Sequence, residues 1–412
     1  MKTVPNIHPV SFDLALELIL KYDQNQKKAT ETIELKDSAG RTLASDVFAD
    51  IDFPGADISA MDGYCLSTVN LAGAGINNLI GLPILAGIDA GHKIDKITPG
   101  SCAYIATGGM LPSGADSVVK IEDVEISPDG NNAIFSAPAK VGNFIRPRAT
   151  ELRTGDIMVA AGTQITPFVI GQLATAGQTV VQTIKKPKVA IITSGDEVLM
   201  PWEKPQPWQV RNGNCPMLRA QVEEAGAIAF EIGIARDVGD HALELFLKAA
   251  ECADIIVTSG GISMGRKDPF KQVFARLEIE PVFYGIKMKP GKPVFFGSYK
   301  NKPVFGLPGN QTSTAVTFEL LVRPYIRKIL GLPNRLTMHL KLSKESINDS
   351  RRDFFKRGHL IEQDNITLVQ PLESQESHML SSLAGAEILF LHPANDEKIA
   401  AGSSVKCWLL KG

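Results

Sequence analysis

Three shortages in this sequence each remove a class of function. The five cysteines (Cys65, Cys102, Cys215, Cys252, Cys407) are an odd set in 412 residues and contain no C-x-x-C pair. That pattern argues against a disulfide framework or a cysteine zinc site, and points to a reducing cytoplasm. The seven histidines are scattered without H-x-x-x-H or H-E-x-x-H spacing, so no histidine metal site is expected. No G-x-S-x-G elbow is present, which removes a common hydrolase signature. Charge of one sign is also lacking. The formal net charge of −2 argues against a protein held to nucleic acid by its overall field, so any anion site must be local. No apolar run approaches the roughly 20 residues of a membrane-spanning helix. Pro5, Pro9 and Asp13 interrupt the stretch where a signal peptide would need an apolar core.

What remains is ordinary globular composition, 44% apolar and 21% charged, on a chain too long for a single core. Two to four domains are expected. Ser11 reads as the N-cap of a helix through Leu14, Leu18 and Ile19, and short strands follow to about Pro54. The segment 51–140 is rich in Gly, Ala and Pro and suggests an irregular β-rich lobe. Residues 1–50 and 141–185 are read together as a linking domain of strands and helices, with one helix at 167–176. From Lys186-Pro187 the texture changes. Strands at 188–193, 227–234 and 254–258 alternate with helices at 215–225, 240–252 and 269–277. A strand pair at 292–297 and 302–305 and a long helix at 311–330 complete a doubly wound parallel-sheet domain, 186–331. Gly331-Leu332-Pro333 ends it. In 332–412, alternation at Leu336, Met338, Leu340 and Leu342, with strands at 365–369, 387–391 and 404–410, suggests a small antiparallel β-barrel. The fold class is therefore multidomain α/β plus β.

Two of the apolar strands end alike, in Thr193-Ser194-Gly195-Asp196-Glu197 and in Thr258-Ser259-Gly260-Gly261. One such turn would be an ordinary strand-to-helix connection. Two on one sheet should border a single crevice, because ligands of open α/β sheets sit outside the carboxyl ends of the strands. Glu197, Asp237 and Asp268 each follow a different sheet element. Singly they could be solvated loop acids, but converging they suit Mg²⁺, which takes carboxylates, water and substrate phosphate. Lys287, Lys289 and Lys292 flank Pro290-Gly291, and Pro308-Gly309-Asn310 precedes the helix near Gln311. Ammonium groups and a helix N-terminus suit a tetrahedral anion. Phosphate chemistry is the reading these residues share.

The ordered motifs Ser59-Ala60-Met61-Asp62-Gly63-Tyr64, Ala106-Thr107-Gly108, Thr193-Ser194-Gly195-Asp196-Glu197, Ser259-Gly260-Gly261-Ile262-Ser263 with Asp268, Lys289-Pro290-Gly291-Lys292-Pro293 and Gly306-Leu307-Pro308-Gly309-Asn310 carry a resemblance. Together they resemble the molybdopterin molybdenumtransferase family, MoeA and the gephyrin E domain, over nearly the whole chain. The resemblance implies an elongated homodimer of four-domain subunits, with 186–331 similar to the MogA fold. It implies insertion of molybdate into adenylylated molybdopterin with release of AMP, aided by Mg²⁺, in the last step of molybdenum cofactor synthesis. Asp62, Thr107, Glu151, Glu197, Asp237 and Asp268 match its functional polar positions. Lys289, Lys292, Pro308, Arg352 and Ser381 match its anion-handling side. Partners implied are the adenylyltransferase and molybdopterin synthase proteins of the same route. Two positions depart from the family pattern. Ala149-Thr150-Glu151 stands in place of Gly-Glu-Asp, and Gln311 stands where proline is common. The departures admit a divergent paralogue acting on tungstate or as a scaffold, and the doubly wound domain alone also resembles the adenylyltransferases.

Overall fold

The apolar runs near residues 190, 256 and 305 lie side by side in the middle of one six-stranded sheet. In the computed structural model, which describes residues 8–22, 28–88, 91, 94–236, 240–262, 268–377, 379 and 381–410, its strands are β1 (Lys188–Ser194), β2 (Ile228–Ala235), β3 (Ile255–Ser259), β4 (Pro281–Tyr284), β5 (Phe295–Tyr299) and β6 (Lys302–Leu307). The order is β2-β1-β3-β6-β5-β4. The first four are parallel, and β5 and β4 run antiparallel at the edge. Both faces of the central strands are covered, so β1 and β3 carry continuous, mostly β-branched apolar runs rather than alternation.

Helices α1 (Phe12–Lys21), α2 (Asn214–Glu224), α3 (His241–Cys252), α4 (Pro269–Arg276), α5 (Gln311–Thr317) and α6 (Arg323–Leu330) belong to the same unit. The expected helix at 311–330 is present, but Phe318–Val322 is a π-helical turn that joins α5 to α6. Ala242, Phe246 and Ala249 of α3 pack on the sheet beside Ile192, Ile256 and Val304. Phe274 of α4 stacks on Phe295 at 4.3 Å between ring centroids. Each fully buried aromatic or aliphatic side chain here contributes about 1.5–3 kcal/mol. Strand β4 has no counterpart in the sequence reading. It is four residues long and begins with Pro281, which is tolerated only at a sheet edge.

Beyond α6 the chain closes a five-stranded barrel. Strand Asp353–Gln363 pairs with Ile366–Pro371, which pairs with Thr337–Leu342; Ser404–Leu409 and Ile388–His392 return to Asp353–Gln363. The small C-terminal barrel is thus present, but it is not wholly antiparallel, since Thr337–Leu342 and Ile366–Pro371 pair in parallel; closure leaves no open edge. Asp353–Gln363 is the strand the sequence reading missed. Phe354 to Gly358 are all buried, including Lys356 and Arg357, so the apolar alternation that marks its neighbours is absent.

The described chain separates into two compact units. One takes Met1–Thr32, Gly40–Thr42 and Gln182–Gly412, and the other takes Ile33–Ala39 and Leu43–Val181. The second holds a six-stranded sheet in the order Ser117–Lys120, Gly63–Leu66, Cys102–Ile105, Ile80–Ile88, Asn132–Phe135, Val124–Ile126. It also holds helix Pro167–Thr175, which starts with Thr166 as N-cap and Pro167 in its first turn. All five cysteines are free thiols, and burial pushes Cys65 up to about 11 and Cys102 up to about 12. No described helix is long and apolar enough to cross a membrane.

A buried ion network joins α2, the π-helical turn and α6. Glu319 accepts from Arg323 Nε (2.6 Å), Arg335 Nε (2.9 Å) and Gln221 Nε2 (2.8 Å). Burial alone would raise the Glu319 carboxyl, but Arg323 and Arg335 hold it below the usual glutamate range. With the folded value depressed, its stabilisation is present above the ordinary glutamate range and is lost as pH falls to the folded value. Glu319→Gln should lower stability by about 2 kcal/mol, because it leaves Arg323 and Arg335 with the half-exposed Glu224 as their remaining carboxylate, and should flatten the acid limb of a urea-midpoint-against-pH curve.

Candidate functional site

Register brings the glycine turns together. Thr193 of β1 is level with Ser259 of β3, and Ser259 is level with Leu307 of β6. Three adjacent parallel strands therefore end flush, and the segments Ser194-Gly195, Gly260-Gly261 and Pro308-Gly309-Asn310 leave from one line. They enclose a cavity of about 570 Å³ that Glu197 and Asp268 also line.

The turns approach so closely that side chains are excluded. Gly260 and Gly261 have φ of +85° and +66°, and a Cβ on either would stand 2.9 or 2.7 Å from Ser194 Oγ. Only glycine takes such backbone without strain. Asn214, at the start of α2, ties two of the turns. Its Nδ2 donates to Ser259 Oγ (2.9 Å) and to the Gly309 carbonyl (2.7 Å). Thr314 Oγ1 donates to the Pro308 carbonyl (2.6 Å), and Ser259 Oγ lies 3.1 Å from the same carbonyl. On the other wall, Asn212 Nδ2 donates to Thr193 Oγ1 (2.9 Å). Arg236, just after β2, donates from Nη1 to the carbonyls of Gly195, Asp196 and Val198 and so fixes the turn that carries Glu197.

The residues expected from sequence fall into groups. Ser194, Gly195, Glu197, Ser259, Gly260 and Gly261 line the cavity, as do Asp268, Pro308, Gly309 and Asn310. Asp237 lies outside the described residues, and so does the side chain of Ser381. Lys287, Lys289 and Lys292 are not among the described residues that line the cavity, although Pro293 is. Their turn is drawn toward the barrel, because Met288 and Lys289 pair in parallel with Asp353 and Phe354. The Lys289 ammonium lies 4.5 Å from the centre of the Phe354 ring and 3.8 Å from Asp349. Lys356 lies 5.0 Å from the same ring, and burial, with Lys289 adding to it, pushes its ammonium down to about 8. The Lys287 N–H is bound by the Val10 carbonyl, and Lys292 is exposed. Arg352 is half-buried, with its carbonyl held by Asn348 Nδ2 at 2.9 Å.

Asp62, Thr107 and Glu151 belong to the other unit. There Asp62 Oδ1 accepts from the Thr107 N–H (2.7 Å) and hydroxyl (2.8 Å), and those two bonds hold its carboxyl below the usual aspartate range. Glu151 is exposed, and its N–H is bound by the Phe53 carbonyl. The sequence reading did not single out Asn212, Asn214, Arg211 or Ser377, all of which line the cavity. Asn212-Gly213-Asn214 just ahead of a predicted helix was an available capping signal. Ser377 had none, since the barrel loop brings it there.

Three family models cover most of the chain. They are the MoeA N-terminal region (domain I and II) at residues 10–177, a probable molybdopterin binding domain at 190–328, and the MoeA C-terminal region (domain IV) at 339–410. The molybdopterin molybdenumtransferase of a Nostoc species is 32% identical, spanning 95% of this chain and 91% of that protein. This chain belongs to the molybdopterin molybdenumtransferase (MoeA) family. The enzyme of the same name from Bacillus subtilis is 29% identical over 98% of this chain and 94% of its own length. Two solved structures of the molybdopterin biosynthesis MoeA protein of Pyrococcus horikoshii match with TM-score 0.83 at 29% and 25% identity, each covering 98% of this chain and all of theirs. The cavity lies within the segment matched to the molybdopterin binding domain, apart from Ser377. Gln311, where the family pattern carries proline, adds its amide to the cavity wall against Gly213.

Asn214→Ala should weaken substrate binding about tenfold while costing about 1–2 kcal/mol of stability, since it frees the Ser259 and Gly309 turns from each other. Steady-state kinetics beside urea melts would separate the two effects, and full activity would show that the turns hold without it.

Proposed function

We propose that this chain is a molybdopterin molybdenumtransferase that inserts molybdate into adenylylated molybdopterin and releases AMP. The observation that carries the reading is the convergence of two Thr-Ser-Gly turns, Pro308-Gly309-Asn310 and two carboxylates on one cavity in the molybdopterin-binding segment. Backbone N–H groups and the hydroxyl of Ser194 bind phosphate oxygens without covalent chemistry, while the buried Ser259 hydroxyl, held by Asn214 and the Pro308 carbonyl, fixes the turn. Lys289, Lys292 and Arg352 supply the positive side for a tetrahedral dianion, and the Lys289–Phe354–Lys356 cluster concentrates that charge. Glu197, Asp237 and Asp268 hold or orient the groups at the phosphoanhydride.

The donor set fits Mg²⁺ as a shared ion rather than a caged one. Among the described residues no cluster of three or more His, Cys, Asp or Glu could hold a metal alone. Asp268 Oδ2 is buried with no hydrogen-bond partner among the described residues, and it suits a hard cation together with Glu197 and substrate oxygens. The ion supplies charge neutralisation on the phosphates. Asp268→Asn should reduce AMP release by roughly two orders of magnitude with the fold intact. The deciding assay is AMP release from adenylylated molybdopterin with and without molybdate. Release that ignores molybdate would end the transferase reading, and a preference for tungstate would redirect it.

The same reading includes a homodimer. In the unit containing 43–181, Phe48 and Ile157 are cross-strand neighbours, each 51% exposed, and Phe168 is 87% exposed. Apolar surface of this kind marks interfaces. Phe168→Asp should shift the protein from dimer toward monomer on a sizing column with light scattering, and an unchanged mass would refute that surface.

A further inference from the structure

The cavity walls mix hydroxyls, amides and the Arg211 guanidinium with proline and aliphatic side chains. Among the described residues that line it there is no Phe, Tyr or Trp. Yet the substrate of the reading above, on which this inference rests, carries two fused nitrogen heterocycles, a pterin and an adenine. Only three tryptophans occur in the chain. Trp408 packs against Phe355 and Phe12 in the barrel seam. The other two, Trp202 and Trp208, are 77% and 72% exposed and have no aromatic partner among the described residues.

Both stand on a loop that leaves the cavity wall and returns to it. The loop starts from Glu197 and Val198 and ends at Val210 and Arg211, all four of which line the cavity. Its base is closed by Val210 N–H to the Glu197 carbonyl (2.9 Å) and Asn212 N–H to the Leu199 carbonyl (2.7 Å). Inside, the Met200 N–H binds Glu203 Oε2 (2.7 Å) and the Gln206 N–H binds Gln209 Oε1 (3.0 Å). Arg211 Nε donates to the Glu203 carbonyl (2.9 Å), which couples the loop to the wall. Pro201, Pro205 and Pro207 restrict the backbone further. Trp208 is two residues from Val210, so its Cα lies within about 7 Å of a wall residue; Trp202, four from Val198, lies within about 14 Å. A single exposed tryptophan is unremarkable, but two on one braced loop whose ends line the cavity put aromatic surface within reach of it.

We propose that Trp202 and Trp208 form a stacking platform at the cavity mouth for a fused nitrogen heterocycle of the substrate, adenine or pterin. The turns at the strand ends seat the phosphate bridge, and the loop receives a ring attached to it.

Calorimetric titration of the full chain with AMP and, separately, with pterin-6-carboxylate identifies the ring, with tryptophan emission as the signature. The preferred ligand should quench wild-type emission, and Trp202→Phe and Trp208→Phe should assign the quench. The double variant Trp202→Ala/Trp208→Ala should bind that ligand roughly tenfold more weakly or worse. Its KM for adenylylated molybdopterin should rise by the same factor at unchanged kcat. Equal affinity, equal KM and no quench with either ligand, in protein that still releases AMP on adding molybdate, would overturn the platform and leave the transferase reading standing. Absence of molybdate-dependent AMP release in the wild type, with the quench present, would overturn the reading and keep the platform.

Discussion

The close approach of three backbone turns at the carboxyl edge of the parallel sheet is the constraint on which the site depends. Gly309 stands at van der Waals distance from Gly260, and Ser194 Oγ fills the space that side chains at 260 and 261 would need. Flush strand ends put the turns in line, glycines let them meet, and Asn214 joins them. Polar groups held this way cannot rearrange cheaply, because the Ser259 hydroxyl and the Pro308 and Gly309 carbonyls already have partners in fixed directions. The cavity is therefore shaped before any ligand enters.

Charge is distributed differently from shape. The cavity wall supplies carboxylates, hydroxyls, amides and the Arg211 guanidinium, whereas Lys289 leans on the barrel. There Lys289 and Lys356 share the ring of Phe354, and Lys356 is further held by Ser346 Oγ at 2.9 Å. Two cations near one ring resist close pairing, and burial lowers the proton affinity of the inner one. The doubly wound domain thus lines nearly all of the cavity, while the barrel helps set the position of Lys289 and Lys356.

Much of the doubly wound domain was legible because its signals are local. Continuous aliphatic runs, a Thr-Ser-Gly after two of them, and prolines or caps at helix starts do not require knowledge of the rest of the chain. The ordered motifs added the family. What failed to show were elements stabilised by neighbours rather than by their own pattern. Strand Asp353–Gln363 buries Lys356 and Arg357 and so carries no alternation. Strand Pro281–Tyr284 is too short to stand out. The π-helical turn at Phe318–Val322 places Glu319 among Arg323, Arg335 and Gln221, a set spread over 115 positions of sequence.

The sequence by itself determined the strand–helix alternation, the glycine turns, the family and the residue types of the site, since each depends on residues adjacent along the chain. Only the tertiary structure decided which of them meet. Parallel register aligned Thr193, Ser259 and Leu307, the barrel loop brought Ser377 to the wall, and the pairing of Met288 and Lys289 with Asp353 and Phe354 drew the lysine turn aside. The reason is that strand pairing and side-chain packing join positions a hundred residues apart, and no local pattern encodes which hydrogen-bonding edges will be brought together.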